Sequence, residues 1–338
     1  MQDSSTEPYL YFQGLLKLAK DVQGAENVHM GVRPYGFHAG NVLALVAYPY
    51  LLCKYTEKEG KTARFNFVVS INDWEQDALD GPDYRKFPFN IYPKNTSIFY
   101  LSDEKGCCSS AVNHWMPIIW KNIEQLQQSF PQVSFTFVKN SELISYEFCR
   151  KMLIRTIADP YEQLEILKEN TEFEVLESPV SYGGAICPKC HLAKGETKVL
   201  NNGEKIRWTC GSCGYGIEGK MEDFQYWWYH KPMLLARLNI FDIDITLSGG
   251  DHYNEGDFNV RRAFIRKFSP LTKEPRMLFT PTLLALNGQK MSKSRNNTEF
   301  ADITKLIDFV DRNEEAEIPI SEELILRNID EKDYCYSF

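Results

Sequence analysis

From about residue 27 onward, short apolar runs alternate with longer amphipathic ones. Val28-His29-Met30-Gly31-Val32 predicts a buried strand, a polar loop follows it, and the apolar stretch from Val42 to Leu52 predicts a helix. The run from Phe65 to Ile71 predicts a second strand ending in the polar tip Asn72-Asp73-Trp74, and the run from Ser97 to Leu101 a third. A helix is expected over 110–129, then a buried strand over 133–138 leading into a helix over 141–157. Strands alternating with helices predict an α/β fold with a parallel sheet, right-handed crossovers and ligands at the carboxyl ends of the strands.

The rhythm breaks over 158–225, where a charged helical piece, two Cys-x-x-Cys units and a Gly/Asn turn read as an insertion. It resumes with a strand over 241–247 running into Gly249-Gly250-Asp251-His252, and a helix from about Asn254 to Phe268. The expected organisation is an N-terminal extension (1–24), the first half of the α/β domain (25–157), the insertion (158–225), the second half (226–312) and an acidic tail (313–338).

Composition narrows the class. With 338 residues, 43% of them hydrophobic and 25% charged, the chain has the makeup of a soluble enzyme, and no apolar run approaches a membrane span. A net charge of −8 and a pI near 5.4 leave no global field for nucleic acid, so any RNA contact must rest on a local basic patch. Nine cysteines, four of them in the paired units, suit a reducing compartment better than a disulfide framework. Residues 1–14 lack the pattern of a signal peptide, so a cytoplasmic location is expected. Leu10-Tyr11-Phe12-Gln13-Gly14 looks like part of a protease-cleavage tag, with Pro8 where glutamate would stand, and residues 1–14 are expected to lie outside the fold.

Three constellations carry chemistry. Arg33-Pro34-Tyr35-Gly36-Phe37-His38-Ala39-Gly40-Asn41 lies between the first strand and the first helix. There glycine lets a nucleotide approach the backbone, the helix start offers free N–H groups to phosphate, and His38 either steadies charge at a reacting phosphate or simply caps and packs. Far downstream, Lys290-Met291-Ser292-Lys293-Ser294 places two lysines on one loop, where they can close on a triphosphate as pyrophosphate leaves. Between them, Asp251 has two readings, a partner for ribose hydroxyl or ammonium and a helix cap, while Gly249 and Gly250 leave space for a nucleotide. The third constellation is Cys187-x2-Cys190-x19-Cys210-x2-Cys213, the spacing of a tetrahedral zinc ribbon whose closed thiolate set suits structural Zn²⁺, with His191 as a less favoured substitute ligand.

His38-x-Gly40-Asn41 resembles the HIGH motif of class I aminoacyl-tRNA synthetases, and residues 290–294 match their KMSKS motif letter for letter. Over 27–312, the order of features is similar to class I lysyl-tRNA synthetases, including Trp227-Trp228-Tyr229-His230-Lys231-Pro232-Met233 as the segment entering the substrate pocket. The resemblance implies a Rossmann-type, HUP-like sheet with an inserted zinc ribbon, and a two-step ligase that forms an aminoacyl adenylate from ATP and Mg²⁺. It implies His38, Asn41, Lys290 and Lys293 as catalytic. Gly36, Gly40, Gly249, Gly250, Asp251, His252, Met291, Ser292 and Ser294 would bind nucleotide, and Arg33, Tyr35, Asn72, Asp73, Trp227 and His230 the amino acid.

The chain also departs from that family. His230 and Lys231 stand where the family has an acidic residue and tryptophan before Pro-Met, which removes a natural partner for an ammonium group. The spacing before His38 is one residue shorter. After Ser294 the chain leaves no space for a helical anticodon domain, so either a partner protein supplies one or the acceptor is not chosen by anticodon; the end of a tRNA is the expected acceptor. A small-molecule or carrier acceptor, and a non-catalytic regulator that binds RNA or protein, are the alternatives.

Overall fold

The computed structural model describes residues 7–34, 39–62, 64–73, 100–103, 106–158, 165–166, 168–170, 183–192, 195–220, 223, 226–228, 230–254, 257–268, 274–291, 303–313 and 317–319. The first half of the chain runs β1 (Tyr9–Leu10), α1 (Tyr11–Asp21), β2 (Ala25–Val32), α2 (Ala39–Val42), α3 (Tyr48–Lys58), β3 (Arg64–Ile71), α4 (Ala111–Ser129), β4 (Ser134–Lys139), α5 (Asn140–Leu143) and α6 (Glu147–Ala158). Short strands β5 (Gly183–Ala185), β6 (Gly195–Leu200), β7 (Lys205–Cys210), β8 (Gly216–Gly219) and β9 (Tyr226–Trp228) follow. The chain then continues through α7 (His230–Ile240), β10 (Ile245–Ser248), α8 (Gly250–Asn254), α9 (Asp257–Phe268), β11 (Arg276–Phe279), β12 (Thr282–Leu284), α10 (Ile303–Arg312) and β13 (Glu317–Pro319).

Six strands form one all-parallel sheet in the order β1-β11-β10-β2-β3-β4. After the short edge strand β1, the chain forms β2, steps outward through β3 and β4, then crosses back to build β10 and β11 on the other side of β2. The strand order therefore reverses between β2 and β10, and the crevice above their carboxyl ends is where such sheets bind ligands. Register places Val28 beside both Phe67 and Ile245, and Met30 beside both Val69 and Leu247, so apolar side chains meet across the centre. Phe67 is fully buried and stacks between Phe65 and Phe135, the kind of contact worth about 2–3 kcal/mol over exposure. Alternation divides the core: Phe67 and Val69 pack with α1, α3 and α4, whereas Val68 and Val138 face α6, α7, α9 and the insertion.

Several elements depart from the sequence pattern for identifiable reasons. The helix expected over 42–52 runs from Ala39 to Lys58 but passes through a π turn at Leu43–Ala47. Pro49 has no N–H to give the carbonyl one turn back, and the wider turn, in which Tyr48 N–H reaches Leu43 O, accommodates it. The helix expected over 141–157 is broken between Leu143 and Glu147, and the strand expected over 241–247 begins only at Ile245, after a turn in which Asp242 takes φ +45°. Of the strand expected over 97–101, residues 97–99 lie outside the described residues, and Leu101 is not in a strand.

Residues 9–14 also belong to the fold, contrary to their expected exclusion. Tyr9–Leu10 pair in parallel with Leu278 and Phe279 on the edge of the sheet, Phe12 is buried, and a Cβ at Gly14 would lie 2.4 Å from the Tyr9 carbonyl carbon. Strands β5 to β9 lie outside the main sheet, and β6, β7 and β8 form an antiparallel meander whose Trp208 is fully buried. No helix among the described residues is long and apolar enough to cross a membrane.

Candidate active site at the switch point of the sheet

At the carboxyl ends of β2, β3 and β10 lies a cavity of about 130 Å³. Its walls include His29, Gly31, Ser70, Asn72, Arg237, Ser248, Gly249, His252 and Arg261, with Ala44 and Leu45 from the π turn and Leu234 from α7. The strands supply the floor and α7 and α9 supply the two guanidinium groups. Arg237 Nη1 donates to Asn72 Oδ1 at 3.2 Å and Asn140 Oδ1 at 2.9 Å, and Asn140 Nδ2 donates to Asn72 Oδ1 at 3.0 Å. Arg261 Nη1 donates to Ser248 Oγ at 2.8 Å.

These cations sit out of water, and burial brings Arg261 down to about 10 despite the opposing pull of Asp251. His29 sits beside Ser70, with 3.0 Å between Nε2 and Oγ. Burial, reinforced by Arg237 and Arg261, holds its imidazole well below the usual histidine range, so it is neutral at pH 7.

The rim of the site carries the nucleotide motifs. After β12 the chain turns through Asn287 and Gly288, the latter at φ +73°, and returns along Met291 N–H to Leu283 O at 2.8 Å. This hairpin brings Lys290 Nζ to 3.3 Å from Asp251 Oδ2. Burial opposes charge on Asp251, but His252 and Lys290 outweigh it and hold the carboxyl below its usual range. Gly250 is required by contact: a Cβ there would lie 2.2 Å from Thr280 O. Gly249 has less backbone against it, its nearest neighbour being Asp251 Oδ1 at 2.5 Å from a built Cβ.

The expected site residues therefore divide. Asn72, Gly249 and His252 line the cavity, Asp251 and Lys290 pair at its rim, and Gly250 packs against the backbone of residues 280–282. Asp73 takes another part, because Ser141 donates to both its oxygens, at 3.1 Å from N–H and 2.5 Å from Oγ, at the start of α5. Gly40 and Asn41 lie in α2, Arg33 follows β2, Met291 is buried beneath the hairpin, Trp227 lies in β9 and His230 opens α7. Tyr35, Gly36, His38, Ser292, Lys293 and Ser294 lie outside the described residues. His29, Ser70, Arg237 and Arg261 were not singled out by motif. Their sequence signal is a polar residue inside an apolar run: His29 in Val28 to Val32, Arg237 in Met233 to Leu238.

Two clusters have the donors for a metal ion. The sulfurs of Cys187, Cys190, Cys210 and Cys213 lie within 4.8 Å of one another, with Cys187 to Cys213 at 3.7 Å and Cys190 to Cys210 at 3.6 Å. A tetrahedral ion with bonds of about 2.3 Å requires sulfur pairs about 3.8 Å apart, so the set fits. The knuckles are closed by His191 N–H to Cys187 O at 2.8 Å and Gly214 N–H to Cys210 O at 3.0 Å. His191 stacks flat on Tyr100 with centroids 3.9 Å apart, so its ring is engaged there. Burial resists charge on Cys210, yet N–H donors from Cys213 and Ser212 and the neighbouring thiols bring it down to about 7.

The second cluster, Asp103, Cys107, Cys108 and His114, was missed in the sequence because only two of its four members are cysteine and they are adjacent. Asp103 Oδ1 lies 3.3 Å from His114 Nδ1, Cys107 Sγ 3.2 Å from the same nitrogen, and the two sulfurs 3.7 Å apart. Those separations fall near the edges of a mixed N, O, S tetrahedron.

Comparison with known proteins bears on what such a chain is. No curated protein matches the sequence. Two similar solved structures are tyrosyl-tRNA synthetases, one from Archaeoglobus fulgidus in complex with L-tyrosine (13% identity, TM-score 0.38) and one from Aeropyrum pernix (16% identity, TM-score 0.41). The alignments cover 87% and 84% of this chain but only 66% and 61% of those chains, so it spans less than two thirds of their length. A pantoate-β-alanine ligase from Francisella tularensis, in complex with β-γ ATP and β-alanine, aligns at 11% identity and TM-score 0.30, covering 89% of this chain and 77% of that one. At these scores the three structures carry no assignment. The sequence family described as tRNA synthetases class I (K) matches residues 15–309, and with that match spanning most of its length the chain belongs to this family.

Proposed function

We propose that the protein activates an amino acid with ATP and transfers it to the terminal ribose of a tRNA. The observation that carries this reading is the meeting of Lys290, from the KMSKS stretch, with Asp251, from the Gly-Gly-Asp-His segment, at the rim of the switch-point cavity. In the first step the amino-acid carboxylate attacks the α-phosphate of ATP, and pyrophosphate leaves with the electron pair of the broken P–O bond. Lys290, joined by Lys293, His38 and Asn41, steadies charge on the phosphates, and Mg²⁺ enters bound to ATP; the work is mostly positioning and electrostatics. In the second step the ribose hydroxyl attacks the acyl carbon, its proton is lost and AMP departs.

The four thiols of residues 187–213 hold structural Zn²⁺ in this reading. The ion's closed coordination would fix the meander, whose Ile206 and Trp208 join the core beneath β3 together with Ile186, beside the first pair of thiols. The enzyme works in the cytoplasm in this reading. Exchange of labelled pyrophosphate into ATP, screened over the twenty amino acids and followed by total tRNA, tests the proposal. Folded, metal-loaded protein that supports no exchange with any amino acid overturns it, and label passing to a carrier or small molecule but not to RNA overturns the choice of acceptor.

A further inference from the structure

Neither backbone nor packing among the described residues requires glycine at position 31, in the middle of the sheet. Its φ is outside the left-handed region, and a Cβ built there would lie 3.5 Å from Ser70 Oγ and 4.0 Å from Asn72 Nδ2, ordinary contact distances. Glycine weakens a strand, and inside one it marks a place where something else comes close. Met30 and Val32 on either side are buried, whereas Gly31 is exposed and lines the cavity. The space over its Cα is therefore where a ligand can touch the strand. Asn72 closes that space from the end of β3. Its Oδ1 accepts from Arg237 Nη1 at 3.2 Å and from Asn140 Nδ2 at 3.0 Å. A guanidinium only donates, so the amide atom facing Arg237 is the oxygen, and Nδ2 is left at the end nearer Gly31. That nitrogen donates to none of the described residues. Asn140 Oδ1 accepts from the same Arg237 Nη1 at 2.9 Å, so three side chains lock one another and the amide cannot turn round without losing two bonds.

Resting on the amino-acid activation reading, we propose that Asn72 is a specificity residue whose amide N–H groups donate to an oxygen on the substrate's side chain as it lies over Gly31. Arg237 and Asn140 are the positioning residues that hold the amide this way round. The carboxylate being activated points the other way, to the rim, where the nucleotide lies toward Lys290 and Asp251. The chemistry read is an oxygen acceptor, whether carboxamide, hydroxyl or carboxylate. A lysine ammonium only donates, so it would meet the Asn72 N–H groups donor to donor after shedding its water, with both left unpaired. His29 on the floor offers it no counter-charge, being held uncharged by burial, with Arg237 and Arg261 acting in the same direction. An apolar side chain would leave the Asn72 donors unmatched. The volume agrees: a cavity of about 150 Å³ holds a benzene molecule, so about 130 Å³ has room for a side chain of a few heavy atoms.

Pyrophosphate exchange across the twenty amino acids should select one with a side-chain oxygen. It should exceed lysine and the apolar amino acids by about 10⁴-fold in kcat/KM, the discrimination of a site built to hydrogen-bond one group against substrates lacking it. Gly31→Ala separates space kept for a ligand from space kept for packing. Its melting temperature should hold or rise, because alanine suits a strand better, while KM for the amino acid rises about 10- to 100-fold and KM for ATP stays. Asn72→Asp keeps an oxygen toward Arg237 and exchanges only the N–H end for an acceptor. It should raise KM for the preferred amino acid by about 10- to 100-fold and narrow its margin over lysine. Arg237→Met should reproduce that rise with KM for ATP unchanged, and Arg237→Lys, which restores a donor to Asn72, should recover part of it. Should a variant fail to melt cooperatively, non-hydrolysable adenylate analogues on the unaltered protein decide: glutaminyl, threonyl or glutamyl should bind tighter than lysyl and leucyl. Preference for lysine or an apolar amino acid, tighter binding of the lysyl or leucyl analogue, or an unchanged KM in Gly31→Ala overturns the role of Asn72 while leaving amino-acid activation standing. Silence with all twenty overturns the activation reading itself.

Discussion

His29 offers a quantitative test of the electrostatics beneath the cavity. Its imidazole is buried, held beside Ser70, and pushed well below the usual range by desolvation and by Arg237 and Arg261. In the unfolded chain a histidine titrates near pH 6.5, so between pH 6.5 and the lower native value the unfolded state binds one more proton than the folded one. Stability from this group is therefore fully present above about pH 6.5 and declines as pH falls toward the lower native value, by up to about 1.4 kcal/mol per pH unit. His29→Gln keeps a polar partner for Ser70 but cannot titrate. Urea unfolding at pH 7.5 and pH 5.0 should show the unaltered protein losing more stability than the variant, in the direction set by the lowered native pKa. Comparing the two proteins cancels the contributions of other groups, including metal lost on acidification. Equal losses would refute a neutral His29 and, with it, the positive field assigned to the floor.

Other outcomes follow from single contacts. Gly250→Ala forces a Cβ into the Thr280 carbonyl and should cost about 1–3 kcal/mol in urea unfolding, whereas a change under about 0.5 kcal/mol would mean the backbone yields there. Lys290→Met should slow pyrophosphate exchange about 10²-fold while shifting stability by under about 1 kcal/mol, because its pair with Asp251 is half-exposed. Elemental analysis of folded protein should find one metal ion per chain, lost on Cys213→Ser together with stability; a second ion, lost on His114→Asn, would show that the Asp103 cluster holds metal as well, and its absence leaves that cluster as hydrogen bonding alone.

The central sheet was legible because strands at its middle are buried on both faces and read as mostly apolar runs, as Phe65 to Ile71 does despite Asn66 and Ser70. The edge was not. β1 is only Tyr9 and Leu10, too short to carry a pattern, so pairing with β11 could not be inferred locally. The break in the helix after Leu143 also depends on tertiary partners, since Asp73 reaches from the end of β3 to hold Ser141. At the site, Lys290 and Asp251 stood out as motif members. Arg237 and Arg261 did not, because each looks like an ordinary helix residue until packing turns it inward. Charge at the cavity wall is a property of packing, and a motif search does not see it.

The pairing of Tyr9 with Leu278 gives the chain a schedule as well as a shape. The first strand of the sheet emerges from the ribosome with no place to go until the segment holding its partner has been synthesised. At about 5–20 residues per second this takes roughly 15–50 s. Through that interval the buried face of α1, with Phe12, Leu15 and Leu18, can dock on α3, but its leading strand stays unzipped. The edge is then completed late, by one of the longest-range contacts in the molecule, the kind that topology makes slow to form. A nascent chain stalled before residue 278 would have its N-terminal strand accessible to proteases that cannot reach it in the finished fold.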